Sequence, residues 1–220
     1  MELATTEMDL DWTLHALAEA VGDVALGPEA FVPLEVPGVP TGPLTLEAIG
    51  QAIAALLPEE VVVVNESVTS TRPAAQALAT ARPHDWLVTM GGAIGAGLPT
   101  SVGAAVACPN RKVLCLSGDG AAMYTLQSLW TMAREQLDVT VVIFANHVYR
   151  ILHGELAAVG ARAGRNVARM FDTVEPKLDW VALARGHGVA GVHCATTDEF
   201  VAAFDRAMTS PGPHLIAKEC

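Results

Sequence analysis

The stretch Val113–Asn146, VLCLSGDGAAMYTLQSLWTMAREQLDVTVVIFAN, decides the fold. It opens on an apolar run, Val113–Ser117, and closes on a second, Val139–Ala145, neither of which alternates with polar residues. Strands of that kind are buried on both faces, as in parallel sheets covered by helices. Between them, Tyr124–Gln136 places Leu126, Leu129, Trp130 and Ala133 at helical spacing and predicts one helix with those residues on its core face. Strand, helix, strand is a crossover unit, and the usual right-handed crossover leaves its two strands parallel. Gly118-Asp119-Gly120 and Asn146 then fall at the carboxyl ends of two parallel strands, the edge at which open α/β sheets bind ligands. Twenty-five residues separate Gly120 from Asn146, the length that a helix plus a strand requires.

The same alternation extends in both directions. Upstream, Thr45 is placed to cap a helix that runs through Leu57 and is stopped by Pro58. A strand Val61–Val64 ending at Asn65, a helix Thr71–Ala81 and a strand Trp86–Met90 follow. A Gly-rich turn and a small-residue helix then run to about Ala107. Downstream come a helix Asp179–Gly186, a strand Gly191–Ala195, a helix Thr197–Met208 and a strand His214–Ala217. The expected fold is α/β: a parallel sheet with helices on both faces, in three layers.

The N-terminal part reads differently. Residues 12–26 form an amphipathic pattern with Leu14, Leu17, Ala18 and Val21 on one face. Residues 27–45 hold five prolines and three glycines, which forbids a regular element. Residues 1–30 are therefore expected to be the tail of a preceding domain, 31–45 a linker, and 46–220 the α/β domain.

Composition narrows the function. About half of the 220 residues are apolar, with only five Phe, two Tyr and four Trp, so the core is expected to rest on Ala, Val, Leu and Ile. A formal charge of −11 argues against nucleic acid and anionic membranes as partners. It also means that a phosphate-bearing ligand has to be held by backbone N–H groups, helix N-termini or a metal cation. The four cysteines show no paired spacing and read as reduced thiols. With no basic flank and apolar run at the N-terminus, and no stretch long enough to span a bilayer, a cytoplasmic location is the default expectation.

Asp119 and Asn146 are hard oxygen donors, one charged and one neutral. Mg²⁺ takes about six oxygens and commonly shares them between protein and substrate phosphates. A backbone carbonyl just after Asn146, that of Val148, would complete the protein's share. Gly118 and Gly120 allow close approach of the chain, and the helix N-terminus near Ala122 suits an anion. The pattern is neither a P-loop nor the usual dinucleotide turn, since Gly-Lys-Ser/Thr and the Gly-x-Gly-x-x-Gly spacing are both missing from this segment.

These residues resemble the diphosphate-binding motif of thiamin-diphosphate (ThDP) enzymes, in particular the acetolactate synthase, benzoylformate decarboxylase and pyruvate oxidase group. The likeness extends to NESVTST (Asn65–Thr71), GGAIGAGLPTSVGAAVA (Gly91–Ala107), YTLQSLWTMAREQLDV (Tyr124–Val139), DWVALARGHGV (Asp179–Val189) and PGPHLIAKE (Pro211–Glu219). It covers roughly residues 45–220 and implies ThDP and Mg²⁺ as cofactors.

By this resemblance, Asp119, Asn146 and the Val148 carbonyl are the metal ligands. Val68 and Thr69 lie near the diphosphate, Ala121, Ala122 and Tyr124 line its other side, and Gly118, Gly120 and Tyr149 are further cofactor-binding positions. Ile94 is the apolar wedge that bends the cofactor, with Gly92 and Ala93 facing its aminopyrimidine. Ala121 departs from the Ser often found in the family, and Ala145 from a common Asn-Asn pair. The resemblance places the activating glutamate on another domain, a pyrimidine-binding domain of the same or another chain. No catalytic residue is therefore assigned here, and the chain is expected to be inactive alone, as a fragment or a separately encoded subunit of a homo-oligomer, dimer or tetramer.

The implied activity is that of an acetolactate synthase-like 2-oxo acid decarboxylase or carboligase, a lyase or transferase. The alternatives are a benzoylformate decarboxylase-like lyase, a non-catalytic ThDP-fold subunit and a nucleotide-phosphate binder. Glu66 reads as a structural strand-end residue. Glu155 reads either as lining a substrate pocket or as lying on a surface helix. His147 and His153 read as surface or core histidines, and Arg162, Arg165 and Arg169 as a solvated helix face.

Overall fold

The apolar runs of the sequence become six strands: β1 (Val62–Glu66), β2 (Asp85–Val88), β3 (Val113–Gly118), β4 (Val139–Ala145), β5 (Ala190–Cys194) and β6 (His214–Glu219). In the computed structural model, which describes residues 9–22, 33–161 and 164–219, they form one sheet in the order β2-β1-β3-β4-β6-β5. Every neighbouring pair is parallel. The expected α/β architecture is the one found.

Two compact units are present, Met1–Pro33 and Leu34–Cys220. The first contributes helix α1 (Leu10–Val21), with Asp9 accepting the Trp12 N–H at 3.1 Å as its N-cap. Its predicted apolar face is exposed at Leu14, Leu17 and Val21, and residues 23–26 of the predicted helix lie outside the described residues. The second unit begins with residues 34–45, which carry no helix or strand and are tied down where the Glu35 N–H donates to the Thr80 carbonyl at 2.7 Å.

The helices of this unit are α2 (Leu46–Leu56), α3 (Arg72–Leu78), α4 (Gly97–Ala107), α5 (Asp119–Ala122), α6 (Ser128–Arg134), α7 (Arg150–Ala158), α8 (Arg165–Phe171), α9 (Trp180–Gly186) and α10 (Thr197–Thr209). Thr45 caps α2 as expected, its hydroxyl accepting the Ala48 N–H at 3.1 Å. Successive strand residues point to opposite faces. Leu114, Leu116, Val142 and Phe144 pack with Ile53 of α2, Leu78 of α3 and Phe204 of α10. Val113, Cys115, Val141 and Ile143 pack with Leu98 of α4, Met132 of α6 and Trp180 of α9. Although aromatics are scarce, Phe144, Phe200 and Phe204 are fully buried; the last two stack with centroids 5.9 Å apart. Burial of each such side chain contributes about 1.5–3 kcal/mol.

One prediction needs correction. Tyr124–Gln136 is not a single helix: the chain makes the short α5, a run of turns, and then α6. The N–H groups of Tyr124, Thr125, Ser128, Leu129 and Trp130 bond three residues back rather than four, and the Thr125 hydroxyl donates to the Gly95 carbonyl at 2.7 Å. Three-residue bonding turns each side chain further round the axis than α-helical bonding does. Trp130, expected in the core, is 52% exposed with the Arg134 guanidinium over its ring, and Met132 is fully buried in its stead.

The strand order has a consequence for function. β1 lies between β2 and β3, so the chain passes from β1 to one side and returns to the other. The carboxyl ends of β1 and β3 therefore flank a topological switch point, where open sheets leave a crevice.

Candidate functional site

Above that switch point lies a cavity of about 360 Å³, walled by the segments that leave β1, β2, β3 and β4. Each wall is fixed by local chemistry.

At the end of β1, Asn65 Oδ1 accepts the Ser67 N–H at 3.1 Å and the Thr71 hydroxyl at 3.0 Å, folding Ser67–Thr71 into a tight loop. Val68 and Thr69 reach the cavity from this loop. Val68 stands at φ 35°, a strained conformation for a β-branched residue.

Glu66, 3% exposed, supports the β2 exit. Its carboxylate accepts the N–H groups of Gly95 at 2.5 Å, Ala96 at 2.8 Å and Gly97 at 2.8 Å. Those three bonds hold the turn that presents Gly92, Ala93 and Ile94 to the cavity. Gly95 has no substitute there: at φ 88°, an added Cβ would fall 2.6 Å from the Tyr124 Cβ.

At the end of β3, Asp119 is 2% exposed. Its Oδ1 accepts the Gly120 N–H at 2.9 Å, and its Oδ2 the His147 N–H at 2.8 Å. The carboxylate thus lies against the peptide that follows Asn146. Asn146 Oδ1 accepts the Val148 N–H at 3.0 Å, and the Val148 carbonyl accepts the Arg150 N–H at 2.8 Å. The loop is pinned from outside where the Tyr149 N–H donates to the Phe171 carbonyl at 2.8 Å and the Thr173 N–H to the His147 carbonyl at 2.9 Å. Tyr149 packs so closely on Gly120 that a Cβ there would sit 2.8 Å from its ring.

Of the predicted residues, Val68, Thr69, Gly92, Ala93, Ile94, Gly118, Asp119, Gly120, Ala121, Tyr124, Asn146, Val148 and Tyr149 all line this cavity. Ala122 does not: its side chain is fully buried among the core residues beneath α5. Glu155 is exposed on α7 and is not among the lining residues, which leaves it the surface-helix role. His153 packs edge-on against Phe171 with centroids 5.0 Å apart. Arg165 and Arg169 are exposed on α8, and Arg162 lies outside the described residues.

Sequence reasoning missed Arg150, Ile151, Leu152, Met170 and Phe171 as lining residues. Arg150 directly follows Tyr149 and was open to discovery by that adjacency. Met170 and Phe171 arrive from α8 through tertiary packing, for which no local signal exists.

The donor set fits a cation of the magnesium type. Asp119, Asn146 and the Val148 carbonyl are oxygen donors; each of their oxygens that accepts an N–H retains another lone pair. Among the described residues, no group of three or more His, Cys, Asp or Glu could hold a metal. A single carboxylate with neutral oxygens, completed by water and phosphate, is the arrangement Mg²⁺ tolerates and Zn²⁺ does not favour. A Cβ added at Gly118 or Gly92 would meet nothing, so open space faces both backbones. The charged lining residues are Glu66, Asp119 and Arg150; Glu66 accepts three N–H groups and Asp119 two.

The chain is similar to known proteins in sequence and in fold. Residues 67–217 match the family model described as thiamine pyrophosphate enzyme, C-terminal TPP binding domain. A Mycobacterium tuberculosis (strain H37Rv) protein described provisionally as an acetolactate synthase large subunit, IlvX, is 47% identical over 205 residues, covering 92% of this chain and 39% of that one. Benzoylformate decarboxylase of Pseudomonas aeruginosa is 33% identical over 211 residues, covering 94% of this chain and 38% of its own. Among solved structures, the thiamine diphosphate-dependent 4-hydroxybenzoylformate decarboxylase of Rhodococcus jostii RHA1 superposes with a TM-score of 0.71 at 30% identity, over 94% of this chain and 38% of that one. The chain thus spans under two fifths of the length of these relatives. It belongs to the thiamine pyrophosphate enzymes, as their C-terminal, cofactor-binding domain.

Proposed function

We propose that this chain is the Mg²⁺–ThDP anchoring half of an acetolactate synthase-like enzyme that decarboxylates a 2-oxo acid and passes the remaining fragment to a proton or a second carbonyl. The observation that carries the reading is the contact of the Asp119 carboxylate with the His147 N–H at 2.8 Å, which brings the aspartate at the end of β3 to the residue after Asn146. Asp119, Asn146 and the Val148 carbonyl would hold the ion, and the ion would hold the diphosphate. ThDP, when bound, supplies the electron sink that allows CO₂ to leave.

The chain's own groups position rather than react. Glu66 fixes the turn bearing Ile94, and Ile94, 58% exposed, is free to press between the two rings of the cofactor. Val68 and Thr69 close the cavity from the β1 side, Ala121 and Tyr124 from the β3 side. Large apolar side chains around it are bare, including Val68, Met90, Ile94 and Met170, as expected of a site whose other wall is a separate domain carrying the activating glutamate. Residues 1–30 would be the end of the domain that precedes this one in such enzymes, and 31–45 its linker.

The 47% identity to the IlvX protein supports the acetolactate synthase-like label. The likeness over 94% of the chain to two benzoylformate decarboxylases supports the second, an aromatic 2-oxo acid decarboxylase. Calorimetric titration of the chain with ThDP, with and without Mg²⁺, tests the anchoring role. Saturable binding that requires the ion is expected, and binding of ATP but not ThDP would replace the reading with a nucleotide site. Addition of a domain supplying the glutamate, with pyruvate and benzoylformate as rival substrates and CO₂ as the readout, separates the two labels.

A further inference from the structure

Arg150, Ile151 and Leu152 open α7 and line the cavity, yet holding the cofactor requires none of them. We propose, on the ThDP reading above, that Arg150 determines what receives the fragment. It binds the carboxylate of a second 2-oxo acid, the acceptor, whose apolar side chain lies on Ile151 and Leu152.

Arg150 is the one basic residue among the described residues that line the cavity. Its side chain is exposed and makes no ion pair or hydrogen bond with another described residue. The two acids of the cavity are engaged elsewhere: Glu66 accepts three N–H groups and Asp119 two, and both are buried. A guanidinium is charged at every working pH, and its planar fork matches the two oxygens of a carboxylate. Arg150 is also the first residue of α7, a helix with no side-chain cap, where the dipole favours a negative charge. Beside it on the same wall, Ile151 and Leu152 are apolar and exposed. One cation in an apolar wall suits an anion with a hydrocarbon body better than a hydroxyl-rich acceptor.

The chemistry decides which carboxylate is read. The donor's carboxylate leaves as CO₂, and an ion pair to it would stabilise the reactant more than the transition state. The acceptor's is kept. The new C–C bond forms at the acceptor's ketone carbon, its ketone oxygen takes up a proton, and its carboxylate remains in the product. An arginine that serves turnover therefore pairs with the acceptor.

The test begins with the full ¹⁵N-labelled chain saturated with Mg²⁺ and ThDP, titrated with 2-oxobutanoate or its neutral methyl ester. The Arg150 Nε–H cross-peak is assigned by its loss in Arg150→Met. The acid is expected to shift that peak saturably and the ester to leave it unmoved. Arg150→Met should weaken acid binding at least tenfold at unchanged ThDP affinity, and Arg150→Lys should recover part of the loss. After addition of a domain supplying the glutamate, Arg150→Met should raise the ratio of aldehyde to ligated product at least tenfold. A peak that ignores the acid, or an equal response to the ester, would overturn the proposal. An unchanged product ratio would place the arginine on the donor, and a loss of ThDP affinity in Arg150→Met would place it on the diphosphate; either refutes the acceptor role and leaves the cofactor reading standing. Failure of the parent chain to bind ThDP is the separate result that removes both.

Discussion

Asp119 Oδ2 accepts the backbone N–H of His147 at 2.8 Å, across an interval of 28 residues. The bond joins the ends of β3 and β4 and sets the carboxylate beside Asn146 before any ligand arrives. A site arranged in advance loses little conformational entropy on binding. The same bond accompanies a positive φ of 55° at His147, a conformation that costs energy outside glycine.

Removal of the Asp119 carboxylate should therefore affect binding far more than folding. Asp119→Ala is expected to abolish Mg²⁺-dependent ThDP binding. It also frees two N–H groups, those of Gly120 and His147. The unliganded protein should lose about 1–3 kcal/mol for each of the two that finds no other acceptor. Calorimetry and urea unfolding on the same variant separate the two effects, and retained ThDP affinity would show that Asp119 is not a ligand.

Glu66 should behave in the opposite way. Its carboxylate accepts three N–H groups from Gly95, Ala96 and Gly97. Glu66→Ala would strand those donors in the interior and is expected to cost about 1–3 kcal/mol for each one left without an acceptor. The midpoint of urea unfolding reports the loss. An unchanged midpoint would mean that the turn holds its shape without the glutamate.

Ile94 is 58% exposed and belongs to neither core cluster. Ile94→Ala should leave the unfolding free energy within about 0.5 kcal/mol of the parent, as for most surface changes. Mg²⁺–ThDP affinity should stay nearly the same, while turnover in the completed enzyme falls. A parent-like rate would remove the wedge role without touching the metal assignment.

The thiols give a prediction in pH. Burial pushes Cys115 up to about 12 and Cys194 up to about 11, both side chains being nearly inaccessible. An unfolded thiol ionises near about 8.5. A folded pKa above the unfolded one contributes stability that is complete below the unfolded value and is lost as pH rises towards the folded value. Stability should thus show no thiol-dependent slope below about pH 8 and decline above it, up to about pH 11 for the Cys194 share and about pH 12 for the Cys115 share. Cys115→Ser and Cys194→Ser should flatten their share of that decline. At pH 8 a thiol reagent should label Cys108, which is part-exposed, well before Cys115 or Cys194, as mass mapping would reveal.

Much of this protein was legible in the chain itself. The largely apolar runs at Val139–Ala145 and Val113–Ser117, without polar alternation, specified strands buried on both faces, as in a parallel sheet. Gly118-Asp119-Gly120 and Asn146 were legible as a joint site for a topological reason: a crossover returns the chain to the same edge of the sheet whatever the helix between contains. Val68, Thr69, Gly92, Ala93, Ile94, Ala121 and Tyr124, which also line the cavity, were named instead by the resemblance to ThDP enzymes.

Tertiary structure decided what periodicity does not carry. The rotation that exposes Trp130 and buries Met132 comes from the Thr125–Gly95 bond and the tightened turns around it, a contact between segments thirty residues apart. Glu66 acquired its three N–H partners in the same way, from a turn at the end of another strand. Met170 and Phe171 reached the cavity only because α8 folds back beside the β4 loop. Sequence patterns fix which face of an element avoids water, since solvation acts on each residue where it stands. Which side chains meet across elements depends on long-range packing and on hydrogen bonds whose partners no local window contains.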